Sequence, residues 1–321
     1  VFATGDSQAG TDVADLYPSL AAAYPDTAFV PYDDDLLAGV DLVFLGLPHG
    51  ASQAIAPGLV AAGVKVVDLA ADFRLADAAL YPTWYGEPHA APDLLGDFVY
   101  GLPELFRSSI EGASLIAAPG CYPTASALAM APLVAGGLAS TSGVIVDAAS
   151  GVSGAGRAPK PTTTFNTVDE DYTAYGLVSH RHTPEIEQSL ARVAGVGSAE
   201  VDVLFTPHLA PMNRGILATC YLRPTAAGAA KSGEELLDVY ADFYAGEPFV
   251  VVSERSPSTK ASLGSNVAHV TVRTDPRTGW ILAIAAIDNL TKGASGQAVQ
   301  NANILLGLDE TTGLDTVGVY P

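Results

Sequence analysis

Asp41-Leu42-Val43-Phe44-Leu45-Gly46-Leu47-Pro48 and Val64-Lys65-Val66-Val67-Asp68-Leu69 are near-continuous apolar runs, each short enough to be one strand. Between them, Ala51 to Ala62 reads as a helix. Strands without polar alternation are buried on both faces, so this spacing predicts a β-α-β unit in a parallel sheet covered by helices. Such sheets gather ligands at the carboxyl ends of their strands. Leu47-Pro48-His49-Gly50 and Ala70-Ala71-Asp72-Phe73-Arg74 both fall at such ends. Arg74 can hold a phosphate or carboxylate through its planar fork, or pair with Asp72 at the surface.

The pattern changes near residue 143. Val144-Ile145-Val146-Asp147 is strand-like and runs into the glycine-rich Ser150-Gly151-Val152-Ser153-Gly154-Ala155-Gly156-Arg157. A backbone of this kind can approach a ligand closely. Longer strands follow at 201–205, 215–222, 266–273 and 280–287, with a hairpin turn at Asp275-Pro276-Arg277-Thr278-Gly279 between the last two. Residues 226–232 read as a small-residue loop and 294–306 as a final helix. With 321 residues, the chain is long enough for two domains. The expected fold is α/β: a Rossmann-like parallel-sheet domain plus an α+β catalytic domain with a largely antiparallel sheet.

Hydrophobic residues make up 49% and charged residues 16%, as in a globular chain. Apolar segments are broken before they reach membrane-spanning length. The balance of 15 basic against 35 acidic residues, or −20, argues against a nucleic-acid partner. An anionic substrate therefore needs a local cluster of Arg or Lys. Cys121 and Cys220 lie far apart, without metal-ligand spacing, and no metal is expected. They suit a reducing, cytoplasmic setting with no disulfide, Cys220 being a core residue of a strand. The chain opens at Val1, and Val1-Phe2-Ala3-Thr4 reads as the end of a strand already under way, so a preceding segment is expected.

Pro119-Gly120-Cys121-Tyr122-Pro123-Thr124 places a thiol at the mouth of a helix. The apolar run 114–118 before it reads as a strand, and Ala125 to Leu133 after it as the helix. Unpaired N–H groups and the positive helix end favour thiolate there and can hold an oxyanion. The alternative is a small buried core cysteine. His180-Arg181-His182-Thr183-Pro184-Glu185-Ile186-Glu187 reads as a second helix start, with Thr183 as cap and Pro184 in the first turn. Two accessible histidines are expected just before it, suited to moving a proton near neutral pH. Arg214, in Pro211-Met212-Asn213-Arg214-Gly215, stands in a turn before a strand.

Together these blocks, with Tyr100-Gly101-Leu102-Pro103-Glu104 and Ile287-Asp288-Asn289-Leu290, make the chain resemble the N-acetyl-gamma-glutamyl-phosphate reductases, relatives of aspartate-semialdehyde dehydrogenase. The matches run in order through essentially the whole chain, except that the family's opening strand and glycine-rich turn are not found. The resemblance implies an NADP-binding domain over 1–119, completed by a C-terminal helix at 293–321, and a catalytic and dimerisation domain over 120–292. It implies NADPH-dependent reduction of an acyl phosphate to the semialdehyde in arginine biosynthesis, through a thioester on Cys121. His182, or else His180, would shuttle the proton. Arg74 would hold the phosphate, with Arg181, Arg214 and Glu185 on the rest of the substrate. Pro48, His49, Ser153, Gly154 and Asn289 would meet the cofactor. A homodimer or homotetramer is implied. The rival readings are an N-acetyl-aminoadipyl-phosphate reductase, whose substrate is one methylene longer, and a non-catalytic remnant.

Overall fold

The structure is a computed structural model that describes residues 3–320. A short helix α1 (Val13–Leu16) lies among turns before the first sheet. Of the strand end expected at 1–4, Val1 and Phe2 lie outside the described residues, and Thr4 makes an isolated parallel bridge to Val30.

The first sheet grows from the apolar runs. Its path is β1 (Leu42–Leu45), α2 (Ala51–Ala61), β2 (Lys65–Asp68), α3 (Tyr81–Tyr85), β3 (Val99–Tyr100), α4 (Pro103–Ile110) and β4 (Leu115–Ala117). The strands lie in the order β1-β2-β4-β3, and every pair is parallel. Val66, Val67 and Ile116 are fully buried, as two covered faces require.

The chain then enters α5 (Cys121–Ala135), β5 (Val144–Ser150), α6 (Phe165–Val168), β6 (Thr173–Ala174) and α7 (Thr183–Ala194). It continues through β7 (Val203–Leu209), β8 (Ile216–Leu222), α8 (Ala226–Ala229), α9 (Gly233–Phe243) and β9 (Val250–Val252). Last come α10 (Thr259–Ser262), β10 (Ala268–Thr274), β11 (Ile281–Ile287) and α11 (Gly296–Leu305). The second sheet has seven strands in the order β6-β7-β5-β8-β11-β10-β9. It is largely antiparallel; the β5–β7 and β9–β10 pairs are parallel.

Helix α5 is the axle of the molecule. Every residue from Tyr122 to Val134 is buried. It joins the last strand of the first sheet to the core of the second, where it packs with Val146, Ala218 and Ala283. Helix α11 returns to the first sheet, where Ala298, Ala302 and Leu305 meet Val67, Ile110 and Ile116.

Two sequence expectations change. The loop expected at 226–232 contains α8, and Ser232 then caps α9 in a reciprocal box with Glu235, at 3.1 and 2.7 Å. The final helix begins with a π-helical turn, Thr291–Ser295, before α11 proper. No helix of the described residues is long and apolar enough to cross a membrane.

Candidate active site

Strand β4 ends at Ala117, the chain turns through Pro119-Gly120, and Cys121 is the first residue of α5. Gly120 is required by crowding. A Cβ there would lie 2.5 Å from His182 Nε2 and 2.9 Å from Arg74 Nη1. So the close packing of three separately noticed motifs depends on one missing methyl. Cys121 is partly accessible, and it opens into a cavity of about 550 Å³ that Gly154, Lys160, His180, Arg181 and His182 also line. Cys220 is fully buried in β8, as expected.

The expected thiolate is corrected. Burial pushes the Cys121 thiol up to about 11, against the pull of Arg74 and of backbone N–H groups at the start of α5. The resting thiol is therefore protonated at neutral pH, and the helix end offsets only part of the desolvation. The histidines are also less accessible than expected. His182 is 8% exposed and occupies the N-cap position of α7, ahead of Thr183, with Pro184 in the first turn. Burial holds it well below the ordinary imidazole range, helped by the charges of His180, Arg74 and Arg181. Burial and Arg181 hold His180 down at about 4. Both rings are neutral at pH 7. His180 Nδ1 accepts the His182 backbone N–H at 3.1 Å, so its proton sits on Nε2. The His182 ring has no hydrogen-bond partner among the described residues, and its Nδ1 is buried. His182 is thus the ring with an uncommitted acceptor.

Three other expected substrate ligands are placed differently. Arg74 does not pair with Asp72. Its Nε donates to the Ala118 carbonyl at 2.8 Å and its Nη2 to the Leu69 carbonyl at 2.7 Å, while Nη1 lies 3.6 Å from Glu185. Most of its fork is spent tying two strand ends together. Glu185 is fully buried and accepts from the Gly120 N–H at 2.7 Å and the Tyr100 hydroxyl at 2.8 Å, so it holds the turn rather than a ligand. Arg214 is paired with Asp288 at 3.0 Å and lines a different cavity with Lys260 and Val319. Arg181 alone of the expected arginines faces the Cys121 cavity, and it has no ion pair or hydrogen-bonded side-chain partner among the described residues.

The expected cofactor residues fall into two groups. At the cavity wall, the turn 152–155 folds onto 212–215 through Val152 N to Met212 O at 2.9 Å and Ser153 N to Asn213 O at 3.1 Å. Asn289 accepts from Gly215 N at 2.6 Å and donates to Ser153 Oγ at 3.0 Å, which fixes Gly154 beside Cys121. A Cβ on Gly154 would sit 3.1 Å from Ser150 Oγ, so this wall is kept bare, as a flat ring against it requires. Pro48 and His49 lie at the carboxyl end of β1. His49 Nδ1 is 2.5 Å from Asp72 Oδ1, and its ring stands 4.3 Å from that of Tyr85. The N-terminus of α2 is already filled: Asp72 accepts from Gly50 N at 2.8 Å and Gln53 N at 3.2 Å. These residues fit a nicotinamide ring at the cavity wall, whereas at the start of α2 the N–H groups of Gly50 and Gln53 are taken by Asp72 and that of Ala51 by the Pro48 carbonyl.

Sequence reasoning missed Lys160, Tyr122 and Tyr175 at this site. Lys160 lines the cavity, and its ammonium has no hydrogen-bond or ion-pair partner among the described residues. Tyr175 donates to the Tyr122 hydroxyl at 3.1 Å, and Tyr122 to the His208 carbonyl at 3.1 Å. A lysine near a glycine-rich loop was a usable signal. The tyrosines carried none.

Residues 1–113 match the NAD binding domain of the semialdehyde dehydrogenases, and residues 121–289 match their dimerisation domain. The chain is 50% identical to the N-acetyl-gamma-glutamyl-phosphate reductase of Symbiobacterium thermophilum, over 100% of this chain and 91% of that protein. It is 48% identical to the reductase of the same name from Azotobacter vinelandii, over 99% and 91%. Among solved structures, aspartate semialdehyde dehydrogenase II of Vibrio cholerae shares the fold with a TM-score of 0.65 at 18% identity, over 86% of this chain and 82% of that one. The Candida albicans aspartate semialdehyde dehydrogenase, solved with NADP, does so with a TM-score of 0.64 at 16% identity, over 95% and 90%.

Proposed function

We propose that this chain, which belongs to the N-acetyl-gamma-glutamyl-phosphate reductases of the semialdehyde dehydrogenase family, reduces N-acetyl-gamma-glutamyl phosphate to the semialdehyde with release of phosphate. The observation that carries this reading is the one cavity in which a partly accessible cysteine at a helix start meets two neutral histidines and an arginine with no partner among the described residues.

Cys121 Sγ attacks the acyl carbon and the phosphate leaves, forming a thioester. The thiol starts protonated, so attack must be coupled to proton transfer. His182 takes that proton on its uncommitted ring. A phosphate dianion beside the ring raises its affinity for the proton, offsetting the cost of burial. NADPH, when bound, supplies the hydride that reduces the thioester carbon. His182 passes that first proton to the departing phosphate oxygen; a second proton, drawn from solvent through the same ring, reaches the sulfur as the C–S bond breaks and the aldehyde is freed. Ser153, Gly154 and Asn289 would form the wall for the nicotinamide, and Pro48 and His49 would hold the cofactor from the edge of β1. Residues 1–119 with 293–321 serve the cofactor, and 120–292 the chemistry.

The charge of Arg181 is felt by His180, His182 and Tyr175, which puts it near the acid–base ring, and unlike Arg74 it is not spent on backbone carbonyls. It is the better phosphate ligand. Lys160, further out with Thr162 and Thr163, takes the substrate's carboxylate. Arg74 anchors the Cys121 turn and lends its charge to the thiolate as it forms.

Phosphate-dependent reduction of NADP with N-acetylglutamate semialdehyde tests the reading. His182→Asn should lower kcat by roughly 10²–10⁴-fold. No turnover by the wild-type protein with this substrate, alongside turnover of the aminoadipyl homologue, would reassign the substrate.

The second sheet leaves one face uncovered, and we read it as the seat of a second copy in a homodimer. Its cross-strand row Leu204, Ile145, Tyr221 and Leu282 is apolar, with Leu204 53% exposed.

A further inference from the structure

Lys292 is fully buried, and its partner Glu104 lies 188 residues away in α4. Lys292 Nζ is 2.5 Å from Glu104 Oε1 and 2.7 Å from Gln300 Oε1. Burial alone would push the Glu104 carboxyl up, but the Lys292 charge and its hydrogen bond carry it below the ordinary carboxylate range. Glu247 and Glu310 lie close by, yet both are engaged by Arg107, at 2.5 and 3.0 Å. Removing two charges from water costs several kcal/mol each, so such a pair is weak support for stability and better suited to fixing one arrangement.

What it fixes is visible one residue on. Lys292 sits in the π-helical turn Thr291–Ser295, and such turns often mark functional sites. Gly293 of that turn packs directly behind the proposed nucleophile. A Cβ on Gly293 would lie 2.7 Å from Cys121 Cβ and 3.3 Å from Cys121 Cα. Gln297 then donates to Thr124 Oγ1 at 3.0 Å, and Thr124 Oγ1 donates to the Gly120 carbonyl at 2.9 Å. The segment 289–297 therefore touches the glycine-rich turn through Asn289, Cys121 through Gly293 and the start of α5 through Gln297. Its tie to α4 is the buried ion pair.

We propose that the Lys292–Glu104 pair is a positioning latch that seats this turn against Cys121 and so sets where the thiol stands. The latch rests on Cys121 being the nucleophile of the reaction above. Neither residue touches the reacting atoms.

The test pairs Lys292→Met with Glu104→Gln, which leaves no buried charge unpaired, and adds Gly293→Ala, which keeps the latch and presses a methyl on Cys121. Turnover, melting temperature and the pH profile of Cys121 alkylation by iodoacetamide are followed in each. A displacement of about 1 Å at a reacting atom costs roughly 10²-fold. Both proteins should lose kcat on that scale with little change in KM, and both should shift the alkylation midpoint upward as Cys121 leaves the N–H groups of α5. A lower melting temperature with wild-type kcat and alkylation in the double variant overturns the latch, and an unaltered Gly293→Ala overturns the contact it acts through. If wild-type protein fails to reduce the acyl phosphate while the variants still shift alkylation, the latch stands and the reaction is misassigned.

Discussion

At the scale of single residues, the cavity sorts cations by whether they are already spent. Arg74 and Arg214 have partners inside the fold, whereas Arg181 and Lys160 have none among the described residues. A charge-assisted contact contributes about 1.5–3 kcal/mol, so losing one should weaken binding by at least ~10-fold. Arg181→Ala is expected to raise KM for phosphate in the reverse reaction, and Lys160→Ala to raise KM for the semialdehyde. Exchange of those two effects would exchange the roles. The thiol offers a separate test. With Cys121 held at about 11, its alkylation rate should climb steadily from pH 7 to 10, without a plateau. A plateau near pH 7 would mean that the resting nucleophile is thiolate.

At the scale of elements, the start of α5 was legible because Pro-Gly-Cys before an Ala- and Leu-rich run is a local signal. What surrounds it was not. Glu185, which the resemblance placed on the substrate, spends itself on Gly120 and Tyr100. Gly120→Ala should drive a methyl into His182 and Arg74, lowering kcat by roughly 10²-fold or more. Retention of full activity would show that the His182 ring can move aside freely. Deeper in the same helix, Leu128 is fully buried in the shared core. Leu128→Ala should cost about 2–5 kcal/mol, measured by denaturant unfolding. A cost below about 1 kcal/mol would mean that the core around α5 collapses onto the space.

At the scale of the whole molecule, the formal charge of −20 repels a substrate carrying phosphate and carboxylate. Capture therefore depends on short-range contacts inside the cavity, and moderate neutral salt, which screens the long-range repulsion more than those contacts, should lower KM rather than raise it. The uncovered sheet face makes a second prediction at this scale. Tyr221 stands between Ile145 and Leu282 in the central row. Tyr221→Glu should convert a dimer to a monomer in sedimentation while leaving Cys121 alkylation intact. An unchanged dimer would move the interface elsewhere.

By itself the sequence determined the two sheets, the helix behind Cys121 and only part of what surrounds it, His180, Arg181, His182 and Gly154 but not Lys160 or Tyr175. Each of these is written in local patterns: apolar runs of strand length, Pro and Gly at turns, His and Cys at helix starts. Tertiary structure alone decided which charges were free. The spending of Arg74 on Leu69 and Ala118, of Arg214 on Asp288 and of Lys292 on Glu104 joins residues far apart in the chain, and no local pattern encodes such a pairing. It decided the protonation of Cys121 too. Desolvation depends on how much protein surrounds an atom, and only the folded chain sets that.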